Sequence, residues 1–241
     1  MWVRTGLAAG FLLVWLIVLL PLKAVVMLAG DRLDYADVYG TVWDGRIYDL
    51  TTEGVPLREV RLQTHPLGWL SGRLVADWQV SDPELRGRGE VALGGGGWTL
   101  SRTDVSVTLD RLDAPDLPGL DRGQFVQLRL AELAVDEGGC RRARGDARTG
   151  ALTGFAAGQG FEGPVLTGMF DCRDGRVVLD FAGQSADLDL SGEAVFEAQA
   201  LTWTLTARTG RAELADALAL AGLQRDGDAW RGQGRRAYAD R

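Results

Sequence analysis

The sequence predicts a mainly β protein, in which an N-terminal transmembrane helix precedes a curved antiparallel β-sheet domain that forms an open half-barrel or groove. Three observations predict this fold. Polar and apolar residues alternate with period two through much of the chain, glycine is scattered over 33 of 241 positions, and the N-terminus carries a long uncharged run. Period-two alternation is typical of a strand with one dry and one wet face. Scattered glycines permit frequent turns and bulges and let a sheet curl.

The transmembrane helix is predicted from residues 7–22, LAAGFLLVWLIVLLPL, which carry no charge. The stem of Lys23 can lie along the apolar region while its ammonium reaches water, so the span extends toward Leu28, to roughly 20 residues. Arg4 precedes this run, and the charges after Gly30 are mixed. The positive-inside rule therefore places the N-terminus in the cytoplasm.

A cleaved signal peptide has a similar layout and remains the alternative. Cleavage requires small residues at positions −3 and −1, yet Ala24 and Ala29 have Leu22 and Met27 two positions before them. An uncleaved anchor is the favoured interpretation. It gives a cytoplasmic N-terminus and anchor at residues 1–30, a periplasmic β-domain at 31–234 and a polar, frayed tail at 235–241. The protein is then a single-pass membrane protein with most of the chain outside the cytoplasm.

The two cysteines, Cys140 and Cys172, suit that placement. An even number of cysteines in an oxidising compartment is a candidate disulfide. Closing a loop of about 33 residues would stabilise the fold by roughly 3–4 kcal/mol in the chain-entropy model. Free thiols are the alternative. Two thiols without further ligands make a poor zinc site, so neither a metal nor a cofactor is predicted.

The clearest strand pair comes late in the chain. In ADLDLSGEAVFEA, residues 186–198, leucines, alanines and a phenylalanine share one face while Asp187, Asp189 and other polar residues take the other. The alternation restarts in LTWTLTAR from Leu201, so the two runs predict a hairpin. Similar runs begin at Arg58, Gly72, Gly89, Gly97, Asp104, Gln124 and Gly175, which brings the prediction to about ten to twelve strands.

Helical periodicity outside the N-terminus is confined to RAELADALALAG, where Leu214, Ala217, Leu218 and Ala221 share a face and Gly222 suits the position after the helix. The order of elements in residues 89–120 and 163–222 is similar. It suggests a β-domain built from two similar halves.

No catalytic constellation emerges from the sequence. His65, the one histidine, precedes Pro66 and is interpreted as a surface residue at a strand end. The many carboxylates alternate on the wet faces of strands and are interpreted as solvated. Four arginines follow Cys140 within CRRARGDAR, where a charged strand edge is favoured over a patch for an acidic partner or lipid headgroups. The net charge of −7 opposes nucleic acid as a partner.

The tryptophans after residue 30 fall mostly on the apolar side of alternating runs, which predicts that they line a core or groove. The positions are Trp43, Trp69, Trp78, Trp98, Trp203 and Trp230. An open sheet with a long apolar face could hold acyl chains. A lipid-binding or lipid-transfer role is therefore a hypothesis of its own.

The box GTVWDG, formed by Gly40, Thr41, Val42, Trp43, Asp44 and Gly45, is predicted to be the first strand of the sheet. Its glycines permit a bulge or close approach of the backbone, and Asp44-Gly45 has turn character.

The order of an anchor, this box, the segment HPLGWLSGRL, paired cysteines and the C-terminal LALAGLQRDGDAWRGQGR resembles the type II secretion system protein N family. The resemblance implies a bitopic accessory component of the machine that exports folded proteins across the outer membrane. It places this component in the cell inner membrane, with most of the chain in the periplasm. It implies no enzymatic activity, and partners among the other secretion subunits. The alternative that remains is a periplasmic protein whose β-groove binds or transfers lipid.

Overall fold

The fold is one antiparallel β-sheet of fourteen strands with four short helices, as seen in a computed structural model that describes residues 15, 19–28, 34–52, 55–70, 72–112, 120–197 and 199–237. The strands are β1 (Asp37–Gly40), β2 (Asp44–Thr52), β3 (Val55–Thr64), β4 (Leu74–Ser81), β5 (Leu85–Gly94), β6 (Gly97–Thr108), β7 (Phe125–Asp136), β8 (Gly139–Thr149), β9 (Leu166–Arg173), β10 (Arg176–Gln184), β11 (Asp189–Phe196), β12 (Ala200–Arg208), β13 (Gln224–Asp226) and β14 (Ala229–Ala237). The helices are α1 (Leu22–Leu28), α2 (Pro66–Leu70), α3 (Ala151–Gly158) and α4 (Ala212–Leu220).

The sheet is a meander in which each strand from β1 to β12 pairs with the next one in the sequence. Only the last hairpin is reversed, so that β14 pairs with β12 and β13 lies at the edge. Tight turns produce this order. Gly95 and Gly96 have φ of +64° and +78° between β5 and β6, and Asp174 and Gly175 have +51° and +73° between β9 and β10. Two consecutive residues with positive φ suit the primed turns of two-residue hairpins.

The structure confirms a mainly β fold with an open antiparallel sheet. The predicted hairpin near the C-terminus is β11 and β12, with Leu190 opposite Ala207 and Phe196 opposite Leu201. The predicted helix is α4, in which Leu214 is buried, and Gly222 follows it with a φ of +85°.

The observed strands differ from the predicted runs at two places. The runs from Gly97 and Asp104 are one strand, β6, which continues through a bulge at Arg102. Strand β8 adds to the count because its inward residues after Cys140 are small, Ala143, Gly145 and Ala147, so they give no strong apolar signal. It lies between β7 and β9, and the prediction of a charged strand edge there is wrong.

The predicted transmembrane span falls mostly outside the described residues, which omit 1–14 and 16–18. Among the residues that are described, no helix has the length and apolar character needed to cross a membrane. The described end of the span is α1. Leu22 and Val26 of α1 are buried in a core cluster with Val38, Ile47, Leu50 and Val60 of β1–β3.

A second cluster lies near the other end of the sheet. Leu188, Leu190, Ala207 and Leu214 are its buried members, and α3 and α4 pack there through Leu152 and Leu218, among others. The two hydrophobic clusters, each with helix residues packed on strands, thus cover opposite ends of the sheet.

The final strand β14 continues to Ala237, three residues into the predicted tail, whose last residues, 238–241, are not described.

Cys140 and Cys172 form a disulfide with a Cα–Cα distance of 5.6 Å. It joins the start of β8 to the end of β9, beyond the last backbone pair of these strands, Gly145 with Phe170. A further backbone bond, from the N–H of Cys140 to the carbonyl of Gly175, holds the same region. The disulfide therefore links two neighbouring strands where their ladder has ended.

The GTVWDG box is a hairpin turn, and the prediction that it forms the first strand is wrong. Gly40 ends β1 with a φ of +88°, the N–H of Thr41 donates to the carbonyl of Asp44, and Asp44-Gly45 begin β2. The close approach that the glycines were predicted to permit is present. A Cβ on Gly45 would lie 2.3 Å from Cδ2 of Leu22, so the glycine lets α1 rest on the sheet.

Asp187 connects α3, α4 and the second cluster. Its carboxylate accepts from the backbone N–H of Glu162 at 2.8 Å and lies 3.3 Å from the guanidinium of Arg211. The hydrogen bond from Glu162 and the charge of Arg211 lower the pKa of Asp187 below its ordinary value of 3.8. The folded state therefore prefers the ionised carboxylate.

We expect Asp187→Asn to lower the melting temperature at pH 7 and to have a decreasing effect as the pH falls below about 4. A pKa lowered by folding adds stability that is present above the unfolded value and is lost as the pH falls through the folded value. The measurement is thermal unfolding of wild type and variant between pH 7 and pH 3. Asp189→Asn, two residues along, is the control and should change little. A loss of stability that stayed the same at pH 3 would contradict this role.

Candidate functional site

The registers of the strand pairs show that the sheet has one apolar face. Residues directly opposite each other in an antiparallel pair point to the same side. Following these pairs from strand to strand gives a first row of thirteen residues, none of them polar. They are Val38, Ile47, Val60, Val80, Gly87, Val105, Leu128, Ala147, Gly168, Phe181, Gly192, Leu205 and Gly232.

A second row on the same side has a single polar member, Thr103. It consists of Gly45, Leu62, Trp78, Gly89, Thr103, Leu130, Gly145, Phe170, Leu179, Ala194, Trp203 and Gly234. A shorter third row contains Ala76, Val91, Leu100, Leu133 and Ala143. We call these three rows together the apolar face and the opposite side of the sheet the polar face.

Two bulges keep the apolar residues of β6 and β7 on this face. In the sequence of β7 the apolar positions Leu128 and Leu130 are even, whereas Leu133 and Val135 are odd. The register shifts between Leu130 and Glu132, opposite the bulge at Arg102 in β6, whose φ is +49°. One extra residue in each strand reverses the alternation, because successive side chains point to opposite sides. Without the bulges, half of each strand would turn its apolar residues to the polar face.

Glycines of the apolar face leave room for large side chains from neighbouring strands. A Cβ on Gly192 would lie 2.5 Å from Cζ of Phe181, and one on Gly234 would lie 2.6 Å from Cζ2 of Trp203. Such distances are too short for real carbon contacts, so these rings lie directly over glycine backbone. Much of the high glycine content is thereby explained by packing on this face.

The polar face carries ladders of ion pairs between neighbouring strands. Arg173 lies 2.6 Å from a carboxylate oxygen of Glu193 and also pairs with Asp180, whose hydrogen bond raises the pKa of Arg173. Others are Arg61 with Asp44, Arg142 with Glu132, Arg176 with Glu197 and Arg235 with Glu197. These pairs are largely exposed, so each adds little to stability. Their charged groups favour exposure of this side of the sheet to water.

An open groove of 640 Å³ lies over β3–β7. Arg58, Arg86, Arg88, Asp104 and Arg129 supply most of its charge. Arg129 and Arg88 both approach Asp104, at 3.7 and 4.0 Å. The groove therefore presents a mixed, solvated surface of charges.

His65 lies beyond the end of β3 and is exposed, as the sequence predicts. Its Nε2 is 2.8 Å from Asp77 Oδ2, and potential ligand atoms of His65, Asp77 and Glu90 all lie within 4.8 Å of one another. Sequence spacing could not show this cluster, because its members come from the end of β3, from β4 and from β5. Glu90 is already engaged by Arg102 at 2.5 Å and by the hydroxyl of Ser101 at 2.9 Å. The guanidinium of Arg102 supplies the positive charge that a metal ion would otherwise bring.

The structure does not bring together the two groups of residues that the sequence singles out, the GTVWDG box and the paired cysteines. The GTVWDG box joins β1 to β2, whereas the disulfide joins β8 to β9, and β8 is six strand positions from β2. At a spacing of about 4.8 Å per strand this separation is roughly 30 Å. The continuous apolar face is the feature that extends between them.

Comparison with known families finds a match over most of the chain. A sequence model of the family described as Type II secretion system (T2SS), protein N matches residues 31–232. The chain belongs to this family. A similar protein, Type II secretion system protein N of Klebsiella pneumoniae, is 26% identical over 204 residues, which cover 78% of this chain and 75% of that protein. No solved structure matches the chain.

The resemblance noted in the sequence is thus confirmed at the level of the T2SS protein N family. The matched range starts before β1 and ends at Gly232, so it includes β1–β13 and the first four residues of β14. The chain is a T2SS component by family, and its mainly β domain is the part that carries the membership.

We expect Gly192→Ala to destabilise the protein by about 1–3 kcal/mol, the usual cost of overpacking. The new Cβ would meet the ring of Phe181 and the carbonyl oxygen of Thr204, 2.3 Å away. Urea unfolding would measure the change. Gly210→Ala, at a position with nothing within 4 Å, is the matched control. Equal midpoints for the two variants would mean that the glycine is not required by packing.

Zinc is expected to leave the melting temperature of the wild type unchanged, because Arg102 already neutralises Glu90. In Arg102→Ala, where His65, Asp77 and Glu90 could all coordinate, zinc should raise it, since a ligand that binds only the folded state stabilises that state. Adding His65→Ala should abolish the increase. Stabilisation of the wild type by zinc that depended on His65 would contradict the assignment of this cluster to an ion-pair network.

Proposed function

We propose that this chain is an inner-membrane-anchored, periplasmic accessory component of the type II secretion system. It would aid the assembly of the machine or the export of folded proteins across the outer membrane, without enzymatic activity of its own. The observation that carries the proposal is the family match over residues 31–232. The Klebsiella relative bears the same family name and supports the same system.

The membrane placement rests on the sequence of the N-terminus. Residues 7–22 carry no charge and are followed by an apolar stretch after Lys23. In this topology the β-domain lies in the periplasm, where the disulfide between Cys140 and Cys172 would be maintained. The N-terminus remains in the cytoplasm.

Contacts with other secretion subunits would use the polar face. Specific protein interfaces carry roughly one hydrogen bond per 100–200 Å² and a polar rim. The polar face offers exposed arginines and carboxylates from β2 to β14, among them Arg88, Arg129 and Arg235. A non-enzymatic role accords with the engagement of its charged groups in ion-pair ladders.

Deletion of the gene in a bacterium with a type II system should lower the amount of folded exoprotein in the medium and leave it in the periplasm. The full-length wild-type chain should restore secretion. Arg88→Glu combined with Arg129→Glu should restore it less well than Arg208→Glu, an exposed arginine near the opposite end of the sheet. Cross-linking in intact cells, followed by purification of the tagged chain, identifies the subunits bound.

Unimpaired secretion in the deletion strain, together with no secretion subunit among the cross-linked products, would overturn the proposal.

The mass of the chain recovered from membranes tests the predicted anchor. An intact N-terminus supports an uncleaved anchor, and cleavage near Ala24 or Ala29 would show a signal peptide instead. Alkaline phosphatase fused after Arg241 should be active only if this end is periplasmic.

A further inference from the structure

We propose that the centre of the apolar face, on β4–β10 between the two hydrophobic clusters, binds the acyl chains of membrane phospholipids. This inference rests on the membrane placement in the proposed function and adds a ligand to it. The centre is defined by the apolar-face residues of these seven strands, such as Val105, Leu128, Leu130, Leu179 and Phe181.

The two ends of the apolar face are covered by the protein itself. Helix α1 packs on β1–β3 through Leu22 and Val26. The cluster with α3 and α4 covers Leu190 of β11 and Ala207 of β12. Among the described residues between these ends, the larger side chains of the face, such as Val105, Leu128 and Leu130, are half-buried, whereas Ala76, Thr103, Ala143 and Ala147 are buried. In the next row beyond Val91 and Leu100, Leu93 and Trp98 are 45% and 37% exposed.

The size of the open region suits hydrocarbon chains. Seven strands at about 4.8 Å spacing extend roughly 30 Å, and three rows about 7 Å apart, with their side chains, cover roughly 15–20 Å. An acyl chain spans about 15 Å, half of a bilayer core of about 30 Å. Several chains would fit side by side or end to end. The area, roughly 500 Å², is smaller than the roughly 800 Å² that each partner buries in a standard protein interface.

The chemistry of the region also favours hydrocarbon over a protein partner. Its three rows carry no charged side chain, and Thr103, itself buried, is their one polar residue. Protein interfaces carry roughly one hydrogen bond per 100–200 Å² and have a polar rim. The side chains of this region offer almost no hydrogen-bonding groups, whereas the polar face of the same sheet offers many. The region therefore matches a ligand that lacks hydrogen-bonding groups.

The apolar face is continuous with the apolar N-terminal segment. In the first cluster Leu22 and Val26 of α1 contact the start of the face, and Leu62 and Val80 on β3 and β4 pack against the same cluster. The uncharged residues 7–22 lead directly into α1. A hydrocarbon chain leaving the bilayer beside this segment would thus meet the first row of the open region without crossing a charged surface.

Photolabelling of the full-length chain tests the inference. The protein is reconstituted into vesicles of phosphatidylethanolamine and phosphatidylglycerol that contain a trace of phospholipid with a diazirine in one acyl chain. After illumination, labelled residues are located by mass spectrometry. We expect about tenfold more label on Val105, Leu128, Leu130 and Phe181 than on their neighbours Asp104, Gln127, Arg129 and Asp180, because acyl chains associate with apolar surface.

Label confined to residues 1–28 would overturn the inference, because the bilayer would then reach only the anchor. Equal label on both faces would overturn it as surface adsorption. Cross-links through the apolar face to a second copy of the chain, or to a secretion subunit in cells, would identify that protein as the occupant instead. The vesicles contain no other subunit, so a negative result here leaves the secretion assay of the proposed function unaffected.

A pair of variants on β7 provides the second measurement. Leu128→Glu places a carboxylate in the first row, and Gln127→Glu places the same group on the polar face one residue away. Label on β8–β10 should fall about tenfold in Leu128→Glu and remain unchanged in Gln127→Glu, since a carboxylate opposes hydrocarbon. Thermal unfolding verifies that both variants fold. If both fold and label equally, the acyl chains do not follow the apolar face.

Discussion

The fold depends on one uninterrupted antiparallel register. Each strand pairs with a neighbour so that apolar residues lie opposite apolar residues across thirteen strands. A slip of one residue at any strand would send its apolar side chains to the polar face, since the side-chain period is two. The bulges at Arg102 and beside Leu130 are part of this constraint, because they restore the common face where the sequence changes its alternation.

A single sheet has no second sheet to cover its apolar side, so it must be stabilised by other means. Helices cover the two ends, and the disulfide joins β8 to β9 near the middle. In between, rings of Trp78, Phe181 and Trp203 lie over glycines of adjacent strands, which buries apolar surface within one layer. The edge strands β1 and β13 have four and three residues, and such short edges limit pairing with other sheets.

In this member of the T2SS protein N family, the two faces of the sheet carry different kinds of side chain. The polar face holds ion pairs, the groove over β3–β7 and the cluster around His65, all suited to water and to polar contacts. The apolar face presents hydrocarbon almost alone and is open only in its central part. In the proposed function, a membrane-anchored chain would use both surfaces at once, because they lie on opposite sides of one layer.

The sequence by itself determined the family, the mainly β class, the hairpin of β11 and β12, helix α4 and the pairing of the two cysteines, because each depends on local pattern or on a count. It could not determine that β8 lies inside the sheet rather than at its edge, because the inward residues of β8 are small. Nor could it determine that GTVWDG forms a turn, which depends on the left-handed backbone of Gly40. The cluster of His65, Asp77 and Glu90 and the continuity of the apolar face were decided only by the tertiary structure. Both arise from registers between strands, and a register joins residues that are distant in the sequence.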